Sequence, residues 1–248
     1  MPTTINVSAQ SGVVLSQDGG TSTAATNFAN ARNANTGGSV DLTDNQDLIE
    51  ASLFTGRGNP IIRIRRVFYS FDTSGITGTV SEAILKLGHP NAVFTDNDDF
   101  IVVKASKPDT STDTSTADFD AIPGFTDDAS MSGNVTDYSS EIDSIAGNAY
   151  TEITLNSTAR SDIQSLDAFA LALVEHTHDY SNTLPSGAVQ INIAGKDSAS
   201  PASGLVPLLV VTEASSGYTH NVLGVAAANI AKVDGVATAN IDKINGVD

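Results

Sequence analysis

The stretch Ile62–Leu87, IRIRRVFYSFDTSGITGTVSEAILKL, contains two runs in which apolar and polar residues alternate, joined by a segment of Asp, Ser, Gly and Thr. In the second run Ala83, Leu85 and Leu87 share one face, which is the two-residue period of a half-buried strand. In the first run the apolar parity changes at the Arg65–Arg66 pair, which indicates a β-bulge or a sheet edge. The stretch therefore predicts two strands of a sheet that has one dry side.

Similar apolar runs along the rest of the chain predict an all-β fold. They occupy residues 3–15, 40–55, 99–105, 168–174, 189–194 and 205–212. Around eight to ten short strands at this spacing are typical of a two-sheet sandwich. One short helix is expected at Asn156–Ser165, where Asn156 or Ser157 offers a side-chain oxygen to the first free backbone N–H groups.

Two polar segments are predicted to be loops. Residues 16–39 are rich in Gly, Ser, Thr, Asn and Ala, which favours a long surface loop with a short helix at Ala24–Ala31. Residues 108–159 contain ten Asp and Glu but no Lys or Arg, which indicates a solvated, acidic loop region.

The central stretch also carries a family resemblance. Arg66–Ile76, RVFYSFDTSGI, and Ser81–Leu87, SEAILKL, resemble the DNRLRE-type jelly-roll domain, a β-sandwich related to carbohydrate-binding modules. Tyr150–Leu155 and Pro207–Thr212 extend the similarity. The resemblance implies that residues 1–214 form a jelly-roll β-sandwich.

The C-terminal residues differ in kind from the rest of the chain. Val222–Lys232, VLGVAAANIAK, aligns with Val233–Lys243, VDGVATANIDK, and a third copy begins at Ile244. Such an eleven-residue repeat is improbable by chance and predicts a separate tail at residues 215–248. Its Asp-Gly and Asn-Gly pairs favour turn-and-strand units. A right-handed helical coil is the alternative, but the regularly spaced glycines count against it.

So short an apolar tail cannot bury its own Val and Ile side chains, and we therefore expect it to pack on another chain or on the sandwich. The predicted assembly interface comprises Val222, Val225, Ile230, Val233, Val236, Ile241, Ile244 and Val247. Tandem repeats of this kind also resemble C-terminal segments of phage virion proteins, particularly those of tail or head appendages. The resemblance implies a homo-oligomer, with a trimer favoured if the tails intertwine.

Composition and charge argue against several classes of function. The chain has 29 acidic and 12 basic residues, and a net charge of −17 is unfavourable for binding DNA or RNA. The absence of cysteine excludes disulfides, thiol catalysis and Cys-ligated metals. The opening residues, MPTTINV, have neither a basic start nor an apolar run, so we expect no secretion signal, and no segment has transmembrane length. Synthesis in a host cytoplasm, combined with this composition, suggests a component of a virus particle released by lysis.

Two clusters carry side chains of metal-binding type. His176 and His178 would point to one face if the preceding strand continued, and such a pair can bind a transition metal; two exposed loop histidines are the alternative. Asp96, Asp98 and Asp99 offer hard oxygen ligands for Ca²⁺, although an ordinary acidic turn explains them equally well. The jelly-roll resemblance favours the calcium interpretation, because such modules often carry a structural calcium ion.

No catalytic constellation stands out, so the chain is not expected to be an enzyme. Serine nucleophile elbows, glycine-rich phosphate loops and HExxH are absent from the sequence. Arg63, Arg65 and Arg66 form a basic cluster that either binds an acidic partner surface or pairs with local carboxylates, and the second interpretation is favoured.

Two functions remain open at this level. The first is a structural phage virion protein, such as a capsid decoration, head fibre or tail appendage, whose jelly roll faces outward and whose repeats mediate assembly with other virion proteins and with further copies of the chain. The alternative is a carbohydrate-binding module that recognises host-surface glycan. Its candidate aromatic residues are Phe125, Tyr138, Tyr150 and Tyr180, in a chain that has no tryptophan.

Overall fold

A computed structural model describes residues 2–20, 22–43, 46–56, 58–89, 99–143, 149–196 and 205–214, together with the backbone of four residues in the tail. The strands are β1 (Thr3–Asn6), β2 (Gly12–Gly19), β3 (Ser39–Asp41), β4 (Gln46–Phe54), β5 (Ile61–Asp72), β6 (Val80–Gly88), β7 (Phe100–Lys104), β8 (Tyr150–Thr154), β9 (Ala168–Glu175), β10 (Gln190–Ala194), β11 (Leu208–Glu213), β12 (Lys232–Val233) and β13 (Val236–Ala237). The helices are α1 (Ala24–Arg32) and α2 (Ser157–Ser165), and short 3-10 and π-helical turns lie at Thr116–Asp118 and His176–Tyr180. Within these ranges no helix has the length and apolar character needed to cross a membrane.

The strands form two antiparallel sheets that face each other as a β-sandwich. The four-stranded sheet has the order β1-β11-β6-β8, and the seven-stranded sheet has the order β10-β4-β5-β2-β3, with β9 pairing with both β5 and β7. β5 is 12 residues long. It pairs with β4 through Ile61–Arg65 and with β9 through Val67–Asp72. Because β2 pairs along Ile61–Phe68 at its other edge, β5 is the central strand of its sheet.

β5 is covered on both faces, which explains the change of parity in its sequence. Its odd-numbered residues from Val67 to Phe71 lie in the inner core between the two sheets. The apolar even-numbered residues from Ile62 to Phe68 lie in an outer core on the opposite face. The predicted bulge or sheet edge at Arg65–Arg66 is wrong, since pairing with β2 continues through both residues without a shift of register.

The alternation predicted for β6 is confirmed by its burial. Ala83, Leu85 and Leu87 are fully buried in the inner core, where they meet residues of β5, β9 and β11. Ile84 and Lys86, on the other face of the strand, are only half-buried. One side of the four-stranded sheet is therefore dry, as the two-residue period predicts.

The outer core lies between the seven-stranded sheet, α1 and the segment 105–135. α1 buries Phe28 there, and the segment buries Phe119, Ile122 and Met131. The short helix predicted in the first polar segment is thus confirmed, but the prediction of two solvated loops is wrong in part. A few apolar residues spaced among acidic ones are sufficient to cover the sheet, and their spacing has no regular period that would reveal this.

The N-terminus of α2 is capped as its sequence predicts. The Asn156 side-chain oxygen accepts hydrogen bonds from the backbone N–H groups of Thr158 and Ala159, both at 3.0 Å. Its amide nitrogen donates to the backbone carbonyl of Asp137 at 2.7 Å. We expect Asn156→Ala to lower the free energy of unfolding by about 1 kcal/mol, measured by urea denaturation. The matched control Ser157→Ala removes an exposed hydroxyl at the next position and should change it by less than about 0.5 kcal/mol. Equal effects of the two substitutions would contradict this role of the cap.

Only a short ladder of the tail is described, in which β12 pairs antiparallel with β13. The side chains of Val233 and Val236 lie outside the described residues. So do the other predicted interface residues, Val222, Val225, Ile230, Ile241, Ile244 and Val247. The boundary of the tail at residues 214–215 stays a prediction. Both cores are nevertheless built from residues that end with Val211.

Candidate functional site

The π-helical turn that follows β9 supplies side chains to two polar clusters. β9 ends at Glu175, whose Oε2 accepts hydrogen bonds from the backbone N–H groups of His178 at 2.7 Å and Asp179 at 2.9 Å. The side chain of Glu175 therefore caps the turn, and the chain leaves the extended conformation at His176. His176 contributes to a half-exposed cluster with two acids, and Asp179 contributes to a buried cluster with two arginines.

The first cluster, called here the acid–histidine cluster, consists of Asp99, Glu141 and His176. One potential ligand atom from each residue lies within 4.8 Å of the other two. His176 Nδ1 is 3.6 Å from Asp99 Oδ2 and 3.6 Å from Glu141 Oε1. Backbone hydrogen bonds hold the three segments side by side. The N–H of Phe100 donates to the carbonyl of Ile142 at 3.1 Å, and the N–H of His176 donates to that of Asp99 at 3.0 Å.

Neighbouring groups orient the acid–histidine cluster. Thr177 donates its backbone N–H to Asp99 Oδ1 at 3.1 Å and its hydroxyl to Asp99 Oδ2 at 2.7 Å. The His176 ring stacks on that of Tyr180, with 5.1 Å between centroids. Burial alone would raise the pKa of Asp99, but the hydrogen bonds from Thr177 and Glu141 outweigh it and lower this pKa. The hydrogen bond to Asp99 is the main cause of the raised pKa of Glu141, so the shared proton is assigned to Glu141.

The second cluster is a fully buried ion cluster of Arg32, Arg66 and Asp179. Arg66 binds the carboxylate with two hydrogen bonds, from Nε at 2.7 Å and from Nη2 at 2.8 Å. Arg32 donates from Nε to the backbone carbonyl of Asp179 at 2.7 Å. The Phe119 and Phe125 rings lie against the Arg66 guanidinium, with centroids 4.2 and 4.6 Å from its central carbon. Burial is the main cause of the lowered pKa of Arg32. This cluster joins α1, β5 and the π-helical turn in the outer core.

The basic cluster of β5 is resolved into three separate environments. Arg66 pairs with Asp179, which is 113 residues away in the sequence. Arg65 forms an ion pair of 3.0 Å with Glu50 on the adjacent strand β4. The Arg63 side chain donates to Gln17 at 2.8 Å. Two of the three arginines thus pair with carboxylates, and the burial of Arg66 rules it out as part of a surface for an acidic partner.

The predicted metal ligands are only partly brought together. The prediction that His176 and His178 share a strand face is wrong, because the strand ends at Glu175. His178 Nδ1 instead lies 3.0 Å from the Thr183 carbonyl oxygen. Asp99, predicted for a separate calcium site, lies beside His176. Asp96 and Asp98 lie outside the described residues.

The donors around Asp99 do not fit the predicted calcium ion. Ca²⁺ takes six to eight oxygen ligands, whereas both Asp99 oxygens are engaged by Thr177 and the next donor is an imidazole nitrogen. Glu141, the third member of the acid–histidine cluster, was missed by the sequence analysis. It is one of many acids in its segment, and only the non-local pairing of Ile142 with Phe100 places it here.

The aromatic candidates for a sugar platform are mostly buried. Tyr138 is fully buried and donates its hydroxyl to Asp162 at 2.6 Å, and Tyr180 is 4% exposed. The prediction of an exposed stacking plane is therefore wrong for these two residues. Phe125 is half-buried against arginine, and Tyr150 is half-buried with its hydroxyl bonded to the Val206 carbonyl at 3.0 Å.

Two surface grooves also lack a bare aromatic plane. One of about 740 Å³ is lined by Val13, Leu15, Ser39, Val40, Asp41, Gln46, Leu48, Arg65 and Asn192. The other, of about 460 Å³, is lined by Gln17, Gly19, Gly20, Phe54, Gly56, Gly58, Asn59 and Ile61. The Phe54 ring in the second groove carries the Arg63 guanidinium at 5.0 Å. Sugar recognition by ring stacking therefore has little support among the described residues.

Comparison with known proteins does not place the chain in a family. No protein-family profile matches it, and no curated protein sequence matches it. The architecture supports the broader part of the resemblance, an antiparallel β-sandwich, and the jelly-roll family itself stays a hypothesis.

Proposed function

We propose that this chain is a non-enzymatic structural component of a phage particle. Its β-sandwich, which we take to be a jelly roll, is displayed outward, and its C-terminal repeats hold neighbouring copies together. Capsid decoration, head fibre and tail appendage are the places in a particle that fit this role. The partners are other virion proteins and further copies of the same chain, with a trimer favoured by the resemblance to phage proteins.

The observation that carries the proposal is an apolar repeat attached to a sandwich that does not need it. Residues up to Val211 supply every member of the inner and outer cores. The repeat nevertheless places Val or Ile at three positions in each eleven-residue unit, for example Val222, Val225 and Ile230. Apolar side chains repeated in this way gain stability when copies of the tail cover one another.

The charge of the chain supports display on a particle surface. The net charge of −17 keeps the outward face soluble and opposes non-specific association between sandwiches. Association must then come from a local, apolar feature, and the tail has this character. The pairing of β12 with β13 is compatible with the turn-and-strand form expected of the repeat.

The proposal is tested by changing the tail within the full chain. We expect the unaltered chain to form an oligomer in light-scattering measurements. The variant Val225→Ser, Ile230→Ser, Val236→Ser, Ile241→Ser should shift toward the monomer mass of 25.5 kDa. The matched control Ala227→Ser, Ala231→Ser, Thr238→Ser, Asp242→Ser changes the same number of positions outside the apolar set and should keep the oligomer. Circular dichroism should show the same β content in all three proteins, because the cores exclude the tail.

Two results would overturn the assembly role. One is an unaltered chain that is monomeric at tens of micromolar, and the other is an apolar-position variant with the same mass as the control. The carbohydrate-binding alternative is not proposed, because Tyr138 and Tyr180 are buried and neither groove offers a bare aromatic plane.

A further inference from the structure

We propose that Asp99, Glu141 and His176 bind a zinc-type divalent metal ion, which joins three separate segments of the sandwich. The proposal goes beyond the assembly role and does not depend on it. The ion would connect the start of β7, the segment that contains Glu141 and the turn after β9. In a chain without cysteine, such a site is a means of cross-linking these segments.

The spacing of the donor atoms fits a tetrahedral site. Zinc bonds to imidazole nitrogen and carboxylate oxygen measure about 2.0–2.2 Å, which corresponds to ligand–ligand distances of about 3.3–3.6 Å in a tetrahedron. His176 Nδ1 lies 3.6 Å from both carboxylate oxygens. Little movement of the side chains is therefore needed to bring all three donors to bonding distance.

The ligands are oriented by a second set of contacts, as in established metal sites. Thr177 donates two hydrogen bonds to Asp99 and fixes its carboxylate. The Tyr180 ring holds the His176 imidazole by stacking at 5.1 Å. The backbone pairing of Phe100 with Ile142 carries Glu141 to the site. The side chains of His176 and Glu141 remain 24% and 46% exposed, so solvent can supply the fourth ligand.

The charges around the cluster favour a cation. Among the described residues, His176 is the only ion-pair partner of Asp99 and of Glu141. The segment 108–159 that carries Glu141 has no Lys or Arg. Glu175, next to His176 in the chain, is fully buried, and its Oε1 has no hydrogen-bond partner within the described part of the chain. A bound cation would stabilise both carboxylates of the cluster and the negative potential around them.

The donor set selects the class of metal. One imidazole nitrogen and two carboxylate oxygens, with a position left for water, suit Zn²⁺ or Co²⁺. Ca²⁺ would require at least about six oxygen ligands, which the described residues do not bring together here. The histidine is therefore the discriminating ligand, and His178, two residues away but bonded to Thr183, is its natural control.

The test uses the full chain, Zn²⁺ in titration calorimetry and Co²⁺ in visible spectroscopy. We expect one Zn²⁺ per chain and the visible bands of tetrahedral Co²⁺. His176→Asn and Glu141→Gln should each weaken Zn²⁺ binding by at least about tenfold, while His178→Asn should change it by less than about twofold. Glu141 is half-exposed, so its substitution should not disturb folding, and circular dichroism checks this.

The outcomes separate this proposal from the assembly role. The full chain with serine at its apolar tail positions should bind Zn²⁺ as the unaltered chain does, whatever its oligomeric state. The metal site is refuted if no stoichiometric Zn²⁺ binding occurs, or if His178→Asn weakens it as much as His176→Asn. Displacement of Zn²⁺ by a modest excess of Ca²⁺ would refute the assignment to a zinc-type ion.

Discussion

Replacing Asp179 by Asn is expected to lower the free energy of unfolding by about 3–5 kcal/mol, because it removes one partner of a buried ion cluster. Asn has nearly the same shape as Asp, so the packing of the outer core is preserved. Its amide, however, carries no charge and presents N–H groups toward the donors of Arg66. The guanidinium groups of Arg32 and Arg66 would then remain buried without a carboxylate, since both side chains are fully inaccessible to solvent.

The neighbouring hydrogen bonds cannot replace this carboxylate. Arg66 also donates to the Phe119 carbonyl at 2.8 Å, and Arg32 donates to the Ala129 carbonyl at 2.8 Å, but carbonyl dipoles compensate only part of a buried charge. Burial is the largest influence on the pKa of Arg32 and lowers it, while the charge of Asp179 is the largest opposing one. Loss of that charge therefore affects both arginines at once.

Urea denaturation of Asp179→Asn and of a matched control measures the effect. Glu152→Gln breaks the ion pair with Lys86, which is as short, at 2.6 Å, but has side chains that are 26% and 55% exposed. We expect this control to lose less than about 1 kcal/mol, because water and salt screen exposed pairs. Equal losses in the two variants would mean that the buried arginines are compensated by something other than Asp179.

The elements that the sequence predicts correctly are those with local signals. The alternation of Ala83, Leu85 and Leu87 is set by contacts to one dry face and is visible without knowing the partner strand. The uninterrupted apolar run that becomes β9 indicates burial on both faces. The cap at Asn156 depends only on the next three residues. Each signal lies within a few positions of the element it determines.

The features that could not be predicted depend on contacts between distant segments. Arg66 occupies an apolar position of β5, and only Asp179, 113 residues later, makes its burial tolerable. The His-x-His pattern suggests a continued strand, but the side chain of Glu175 caps a π-helical turn at that point. Glu141 joins His176 through a single bridge between Ile142 and Phe100. No local pattern encodes these pairings, so the sequence alone leaves the acid–histidine cluster undetermined.

Glu175 is expected to make the stability of the native chain fall as pH rises from 5 to 8. Burial raises the pKa of its carboxyl to about 8, even though Oε2 accepts two backbone hydrogen bonds that favour the ionised form. In the unfolded chain the group titrates near its ordinary pKa of 4.5. Between these values the folded state holds a proton that the unfolded state has released.

The sign of the effect follows from this difference in bound protons. Stability decreases with pH wherever the folded state binds more protons than the unfolded state. The contribution of Glu175 is therefore fully present below pH 4.5 and is lost as the pH rises through about 8. At 1.36 kcal/mol per pH unit, the interval from pH 5 to pH 8 corresponds to a loss of about 4 kcal/mol. This loss is close in size to that expected for Asp179→Asn.

Glu175→Gln isolates this contribution, because Gln has a similar shape and no proton to release. Unfolding free energies of both proteins at pH 5, 6.5 and 8, measured with EDTA to keep metal from His176, should differ by an amount that changes with pH by roughly 3–4 kcal/mol in favour of Gln at high pH. The readout is the slope, since the extra N–H groups of Gln add a constant cost at every pH. Glu152→Gln at the same three pH values serves as the control for an exposed carboxyl. Parallel curves for Glu175→Gln and the native chain would show that Glu175 is ionised in the folded state, and hence that the two hydrogen bonds to its Oε2 outweigh its burial.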